Sequence, residues 1–577
     1  CIIWQGGAAR MTTEEIARRP SRLRQHVPGL GLLHGYQRGW ARPDLVAGLV
    51  LAAILVPQGM AYAELAGLPA VTGLYTTIAC HVAYAVFGPS RILVLGPDSS
   101  VSPMIFAAIT PLFVAGDMGE AIALAGMLAV IVGLIEIGLG IGKLGFVADL
   151  LSSEVQVGYM NGLAVTIIVG QLPKLFGFST DADSFVDDVR EFAKNIDETV
   201  GAALVVGLAV LAVLVIVPRI SRRVPAVLVA VVGATIASAI FDLASDGVKT
   251  VGSLPEGFPK PSLPWTSFDD VGPLLIAAVG ITLVSLTDTI ATASSFAARR
   301  GAEVEPNQEM VGIGAANIAA GLVQGFAVST SGSRTAVAEQ SGAKSQLTGV
   351  VGAGVVAILL LFLNSLLADL PQPALAAVVI AAALSLMDIS LVRKYARVRP
   401  SAVVLSLLTS AGVIVFGVLP GIVIAIALSV LLVFHRSWWP HGAVLGQIPG
   451  VGGWHSVELH DDAHELDGIV VYRWEAPLHF ANAGAFRRQI RQLARDRKPG
   501  WLVLQCEAIT DIDVTAAGML EQLDRELNAR GTHIAFVEMR TRLQDLTRHY
   551  GLFETLDRDH FYPTVKSALE AIQAEEP

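Results

Sequence analysis

Residues 328–342 read VSTSGSRTAVAEQSG: four serines, two threonines, an arginine and a glutamate, set between apolar runs. The stretch that leads in, GFAVSTSGSR (325–334), is extended in character and rich in Ser, Thr and Gly, and RTAVAEQSG can supply only about two turns of helix. Such a segment is too short to cross a bilayer alone. Backbone that is not helical at membrane depth leaves N–H and C=O groups unpaired unless it is buried in protein or lines a cavity. The segment therefore reads as a lining. A second stretch of the same kind is SRILVLGPDSSVSPMIFAAITP (90–111), which turns helical only after Gly96-Pro97-Asp98, with Ser99 and Ser100 at capping positions and Pro103 in the first turn.

The surroundings are membrane sequence. Of 577 residues 53% are hydrophobic and 16% charged, and the mean hydropathy is +0.59. Runs such as DLVAGLVLAAILVPQGMAYAELAG approach the ~20 residues that a helix needs to cross ~30 Å of hydrocarbon. They recur from residue 44 to about residue 436, enough for roughly twelve to fourteen spans. Three cysteines (Cys1, Cys80, Cys506) provide no disulfide framework or zinc pattern, so no metal or cofactor is expected. A net charge of -10 with few Lys/Arg clusters argues against nucleic acid. The opening CIIWQGGAAR reads as a start-site remnant before Met11, and the first apolar run is too long and too far in for a cleavable signal peptide.

Short loops rich in Lys and Arg stay cytoplasmic. They are PRISRRVP (Arg219, Arg222, Arg223), AARRG (Arg299, Arg300) and VRKYARVRP (Arg393, Lys394, Arg397, Arg399), and they follow the sixth, eighth and twelfth spans counted from Asp44. Both chain ends are then cytoplasmic. The acidic loop 179–198 and the Pro-rich loop 252–264 fall outside. Two units of about seven spans each would lie in opposite topology, the inverted repeat of secondary transporters, in which paired broken segments mark the binding site. The two broken stretches fall at the third and tenth spans, which correspond under that division.

Half-helices starting near Ser99 and Ser333 would each point a positive dipole end at the bilayer midplane. That stabilises an anion by only ~0.3–2 kcal/mol per end. Arg334 adds a full charge and a fork suited to oxyanions. A third feature is Asp288, among Thr287, Thr289 and Thr292 in ITLVSLTDTIATASSFAARR. A carboxylate there has to be protonated, bind a cation or pair with a basic group. If an anion sits nearby, proton uptake and anion binding favour each other, which is a mechanism for symport.

After Trp439 the texture changes: short strand-like runs alternate with charged amphipathic helices, as in DGIVVYRWEAPLHFANAGAFRRQIRQLARDRKPGWLVLQC. That indicates a soluble α/β domain. The domain limits expected are 1–43 for a cytoplasmic N-terminal segment, 44–439 for a membrane domain with repeats about 44–242 and 270–436, 440–466 for a Gly/Pro/His-rich linker, and 467–577 for the soluble domain.

PQGMAYAELAGLPAVTGLY, FGPSRILVLGPDSSVS, DTIATASSFAARRGAEVEPNQEMVGIGAANIAAGLVQGF and SGSRTAVAEQSGAKSQLTG, in this order, resemble the SulP family of anion permeases over nearly the whole chain. The resemblance implies a fold shared with nucleobase transporters: about fourteen spans in two inverted repeats, a core domain moving against a gate domain in an elevator-like manner, and a homodimer in the bacterial inner membrane. It places the anion site at Gln58, Tyr62, Asp98, Ser99, Ser331, Gly332, Ser333 and Arg334, and the coupling site at Asp288 with Thr287 and Thr292. An acid at position 98, uncharged in many animal members, argues against simple chloride exchange. LVLQCEAITDIDVTAAGML resembles the STAS domain of anti-sigma-factor antagonists. Val514 stands where those proteins carry a regulatory serine, leaving Thr515 as substitute, with a helix cap as the plainer role for Asp513 or Thr515.

GIGKLG (140–145) matches a dinucleotide fingerprint but ends an apolar span, so it is discarded. Gly321 and Gly325 read as helix packing. No Ser-His-Asp order or paired carboxylate suggests an enzyme. The expectation is a proton-coupled sulfate transporter. Its alternatives are sodium- or proton-coupled transport of bicarbonate or a C4-dicarboxylate, a passive anion channel, and a receptor signalling through the STAS domain.

Overall fold

The computed structural model describes residues 27–29, 35–114, 116–180, 184–221, 225–255, 257–552, 556 and 560–575. Most of the segment 1–43, and Arg222 and Arg223 of the first basic loop, lie outside the described residues. The chain divides into two compact units, Cys1–Ser429 and Val430–Pro577.

The first unit is helical. Its principal helices are α1 (Ala41–Leu65), α2 (Ala70–Phe87), α3 (Ser102–Ile109), α4 (Met118–Ile141), α5 (Ser153–Phe176), α6 (Gly201–Ile220) and α7 (Ala226–Phe241). They continue with α8 (Phe268–Ala298), α9 (Pro306–Leu322), α10 (Gly332–Gln340), α11 (Leu347–Phe362), α12 (Gln372–Leu386), α13 (Pro400–Phe416) and α14 (Val418–Trp438). Among the described residues eight helices are long and apolar enough to cross a membrane, and four shorter apolar ones have 10–17 residues. This is a multi-span α-helical membrane fold.

The helices pack in two groups. α1–α4 pack with α8–α11, and α5–α7 with α12 and α13; α1 meets α7 and α12 along the seam. Small residues bring α4 and α9 close. A β-carbon on Gly133 would lie 2.5 Å from the Gly314 carbonyl oxygen, and one on Gly321 2.5 Å from that of Gly126. Gly321 thus serves packing within the chain, where backbones approach because no side chain intervenes.

Two strands interrupt the helices. β1 (Leu95–Gly96) pairs antiparallel with β2 (Ser329–Thr330), Leu95 opposite Thr330 and Gly96 opposite Ser329. α3 follows β1 and α10 follows β2. Both broken stretches are present, and each strand supplies the backbone partners that the other lacks at membrane depth.

The second unit is an α/β domain. Its sheet order is β4-β3-β5-β6-β7-β8, with β3 Gly442–Gly446, β4 His455–Ser456, β5 Ile469–Trp474, β6 Trp501–Gln505, β7 His533–Val537 and β8 Phe561–Tyr562. β5 to β8 run parallel, and β3 is antiparallel to β5. Helices α15 (Ala483–Arg497), α16 (Val514–Asn528), α17 (Thr541–His549) and α18 (Val565–Glu575) complete it. Trp474, Phe486 and Leu523 fill one core cluster, Val503, Val537 and Ile572 another. Strands covered on both faces read as short apolar runs, such as WLVL of β6, buried along its length. Residues 440–466, expected as a linker, instead contribute β3 and β4 to the sheet. The turn residues Gly450 and Gly453, both at positive φ, hid two short strands.

Candidate anion site

Arg334 is the third residue of α10 and only 1% exposed, although it is the longest cation available. The Ser331 side chain caps the helix by accepting from the Arg334 backbone N–H at 3.4 Å, and Ser331 and Ser333 hydroxyls lie 3.1 Å apart. The guanidinium reaches back across the two-stranded pair: Nη2 donates to the Pro97 carbonyl at 2.8 Å and approaches Asp98 Oδ1 at 3.5 Å. Gly96 makes that path possible. A β-carbon there would lie 2.9 Å from Nη1, and its φ of 149° lies where side chains are strained. Nε and Nη1 are buried without a partner. Two orphaned donors on a buried cation cost several kcal/mol unless something accepts from them, by the order of ~1–3 kcal/mol per unpaired group.

The first half-helix starts later than its sequence suggests. α3 begins at Ser102 with Val101 at the cap, so Ser99 and Ser100 occupy the turn before it. The cause is local: the Asp98 carboxylate accepts from the Ser100 N–H at 3.0 Å and its hydroxyl at 2.9 Å, while the Asp98 carbonyl accepts from the Ser102 hydroxyl at 2.8 Å. This Asx-type turn holds the chain out of helix for one more turn.

A cleft of about 650 Å³ opens onto the arginine. Gln58 of α1 and Ser333, Arg334 and Val337 of α10 line it on one side, and Pro218, Pro225 and Ala226 on the other. The Gln58 side-chain oxygen is buried with no partner. Tyr62, Asp98, Ser99 and Ser331 are buried behind this lining, where the Tyr62 phenol interacts with Ser99, Asp98 and Arg334. Gly332 is exposed, and Thr292 lies 3.8 Å from where its β-carbon would be.

Asp288 of α8 accepts from Gln156 Nε2 of α5 at 3.4 Å and interacts with Ser100 and Asp98. Of the neighbouring threonines, Thr287 donates to the Leu283 carbonyl at 2.7 Å, and Thr289 shares a 2.8 Å bond with Thr330 of β2. Sequence reasoning missed Gln156 and Tyr159, whose buried phenol oxygen near Asp288 lacks a partner. Their i, i+3 spacing on α5, aimed at one face of a helix, was the available signal. In the second unit, Asp513 caps α16 by accepting from the Ala516 N–H at 2.8 Å and also accepts from the Phe480 N–H at 2.7 Å, while Val514 and Thr515 are exposed.

The sequence matches the model of the sulfate permease family over residues 42–409 and that of the STAS domain over residues 462–568. The probable sulfate transporter Rv1739c of Mycobacterium tuberculosis is 41% identical over 550 residues, covering 95% of this chain and 98% of that protein. The chloroplastic sulfate transporter 4.1 of Arabidopsis thaliana is 30% identical over 549 residues, covering 91% and 79%. In fold, the murine Slc26a9 anion transporter, solved in an inward-facing state, superposes with a TM-score of 0.87 at 24% identity, covering 96% of each chain.

Proposed function

We propose that this chain, which belongs to the sulfate permease family and is an anion transporter of the membrane and not an enzyme, takes up sulfate together with protons. The observation that carries this reading is the charge balance at the broken helices. One guanidinium, Arg334, pairs with Asp98, and Asp98 in turn interacts with a second carboxyl group, Asp288, so that the cluster holds one cation and two acids. Asp288 is held by the neutral Gln156 and not by a base. An entering dianion would add to an excess of negative charge in a low-dielectric site, where unscreened repulsion is strong. A proton on Asp288 removes that excess, so proton and sulfate enter together. The helix starts of α3 and α10 and the free Nε and Nη1 of Arg334 then take the oxyanion, with Gln58, Tyr62, Ser99, Ser331, Gly332 and Ser333 shaping the pocket. Thr287 and Thr292 flank the coupling acid.

The cleft lies between α1 and α10 of one helix group and the ends of α6 and α7 of the other. A seam at the site favours an elevator motion of the first group against the second. In this reading both chain ends are cytoplasmic and two copies form the unit in the bilayer. In this reading the membrane domain spans 44–439 and the STAS domain 467–577, with the intervening segment joined to the latter's sheet, and Asp513 and Thr515 mark its point of regulation.

The test is uptake of labelled sulfate, bicarbonate and succinate into proteoliposomes at two pH values, with and without sodium. Sulfate uptake that rises as external pH falls, and an Asp288→Asn variant that still transports but has lost the Asp288 part of that pH dependence, are expected. Sodium dependence, or a pH profile unchanged by the substitution, refutes proton coupling. Preference for bicarbonate or succinate refutes the substrate.

A further inference from the structure

α4 carries a carboxylic acid that the mechanism above does not use. Glu136 is wholly buried, five residues from the C-terminal end of the helix, where the dipole offers a negative charge no support. Its contacts are neutral. Asn317 Nδ2 of α9 donates to Oε2 at 2.7 Å, and the Ser285 hydroxyl of α8 lies 3.1 Å from Oε1. Both partners also hold the residue that leads into β2. The Asn317 Oδ1 accepts from the Val328 N–H at 2.7 Å, and the Ser285 hydroxyl lies 3.3 Å from the Val328 carbonyl oxygen.

Counting protons decides the state of this ring. The Val328 N–H can donate only to an oxygen, so the Asn317 amide is fixed with its NH₂ toward Glu136. Ser285 has one proton and faces two acceptors. If Glu136 is ionised, either a buried carboxylate oxygen or the buried Val328 carbonyl goes without a donor, and such a gap is costly. If Oε1 carries a proton, Glu136 donates to Ser285, Ser285 donates to Val328, and every group in the ring is paired. The helices packed against α4 bring no base to replace that proton. α8 offers Asp288, one turn beyond Ser285 and held by Gln156, with Asp269 and Asp270 in its first turn. α9 offers Glu309, and α3 has no charged residue. Glu309 differs in kind: it sits in the first turn of α9, at the positive end of the dipole, and takes hydrogen bonds from Tyr84 and Ser90.

We propose that Glu136 is a second proton-binding site, whose proton closes this ring and so fixes Val328 and the β2 edge of the anion site. Glu136 acts as a positioning residue and does not touch the anion. The proposal rests on the reading of the β1–β2 region as the anion site. When the proton leaves, Ser285 turns to the carboxylate, the Val328 carbonyl loses its hydroxyl donor, and the strand that carries Ser329, Thr330 and the α10 start loosens. Anion binding then weakens with rising pH through a step separate from that of Asp288.

The test uses the full-length chain in lipid. Glutamine at 136 copies the protonated acid, since its N–H can donate to Ser285 and its oxygen accept from Asn317. Infrared spectra of the wild type at neutral pH are expected to contain the C=O stretch of a protonated carboxylic acid that is lost in Glu136→Gln and kept in Glu309→Gln. A spectrum in which Glu136→Gln removes no such stretch overturns the proposal. Equilibrium binding of labelled sulfate is compared between Asp288→Asn and the double variant Asp288→Asn with Glu136→Gln. In the single variant affinity is expected to fall by up to about tenfold per pH unit above the remaining step, the slope of one linked proton, and in the double variant by less than about twofold. Identical profiles overturn the proposal. If Glu136→Gln does not fold, Ser285→Ala serves instead: it deprives the acid of its acceptor and is expected to shift the stretch, and an unmoved stretch overturns the proposal. Should no variant nor the wild type bind sulfate, the substrate reading falls, and the infrared result still decides whether Glu136 holds a proton.

Discussion

Replacing Arg334 by lysine separates charge from geometry at the broken helices. The guanidinium spends Nη2 on the Pro97 carbonyl at 2.8 Å and on Asp98, and leaves Nε and Nη1 free. A lysine keeps one positive charge but has a single nitrogen on a flexible stem, so it can hold Pro97 or face the cleft, and not both. The anion therefore loses one charge-assisted hydrogen bond while the buried charge count is unchanged. Such a bond contributes about 1.5–3 kcal/mol, which corresponds to roughly 10- to 150-fold weaker binding. Stability should move little, because Asp98 still faces a cation and α10 keeps its Ser331 cap. The assay is equilibrium binding of labelled sulfate to purified Arg334→Lys and wild type, with thermal unfolding of both. Binding within about threefold of the wild type would show that the fork is not used and would refute the site as drawn.

Gly96→Ala should act through the same guanidinium: a β-carbon 2.9 Å from Nη1 at a φ of 149° adds strain of about 1–3 kcal/mol and displaces the arginine. Sulfate binding should fall at least tenfold, and in an Arg334→Ala background the alanine should have no further effect on what binding remains. Asp44→Ala should lower thermal stability by about 2–5 kcal/mol, because the wholly buried Asp44 carboxylate accepts from the Lys344 N–H at 2.6 Å, the Ser345 N–H at 3.1 Å and the Ser345 hydroxyl at 2.7 Å, and two backbone donors would be orphaned. In the STAS unit, hydrogen bonds from Arg491 and then Arg487 hold Glu526 below its ordinary value. Its stabilising contribution is complete above the ordinary glutamate value of about 4.3 and is lost as pH falls through the lower folded value. Melting of the 430–577 unit should drop over that acidic range in the wild type and lose that component in Glu526→Gln.

What could be read in the sequence was whatever a local pattern enforces. Apolar runs of membrane length, the polar interruption around Arg334 and the acid at 288 were all visible, because lipid tolerates so few other arrangements. What escaped was settled by contacts between distant segments. Strands of two residues, Leu95–Gly96 and Ser329–Thr330, carry no period and become strands only by pairing across more than two hundred residues. The delay of α3 to Ser102 follows from an Asp98 side chain turned onto Ser100, where a cap at Ser99 read equally well. Glu136 was passed over because one acid inside an apolar span shows its importance only when Asn317 and Ser285 are seen to face it.

The pattern of paired and unpaired polar groups adds to what burial alone says about the site. Asp44, Glu136, Glu309 and Asn317 are at most 1% exposed, and each has hydrogen bonds to its polar ends. Arg334 is as deeply buried, yet keeps two donors without acceptors, and the buried oxygens of Gln58, Tyr159 and Ser329 also lack partners. These four residues come from α1, α5, β2 and α10, and two of them, Gln58 and Arg334, line the cleft between the two helix groups. In the proposed reading, the ring closed around Glu136 is scaffold, and the two open donors of Arg334 suit a solute with several acceptor oxygens. In that reading, sulfate supplies those oxygens to the arginine and the helix starts, and the proton proposed to travel with it satisfies the acid at 288.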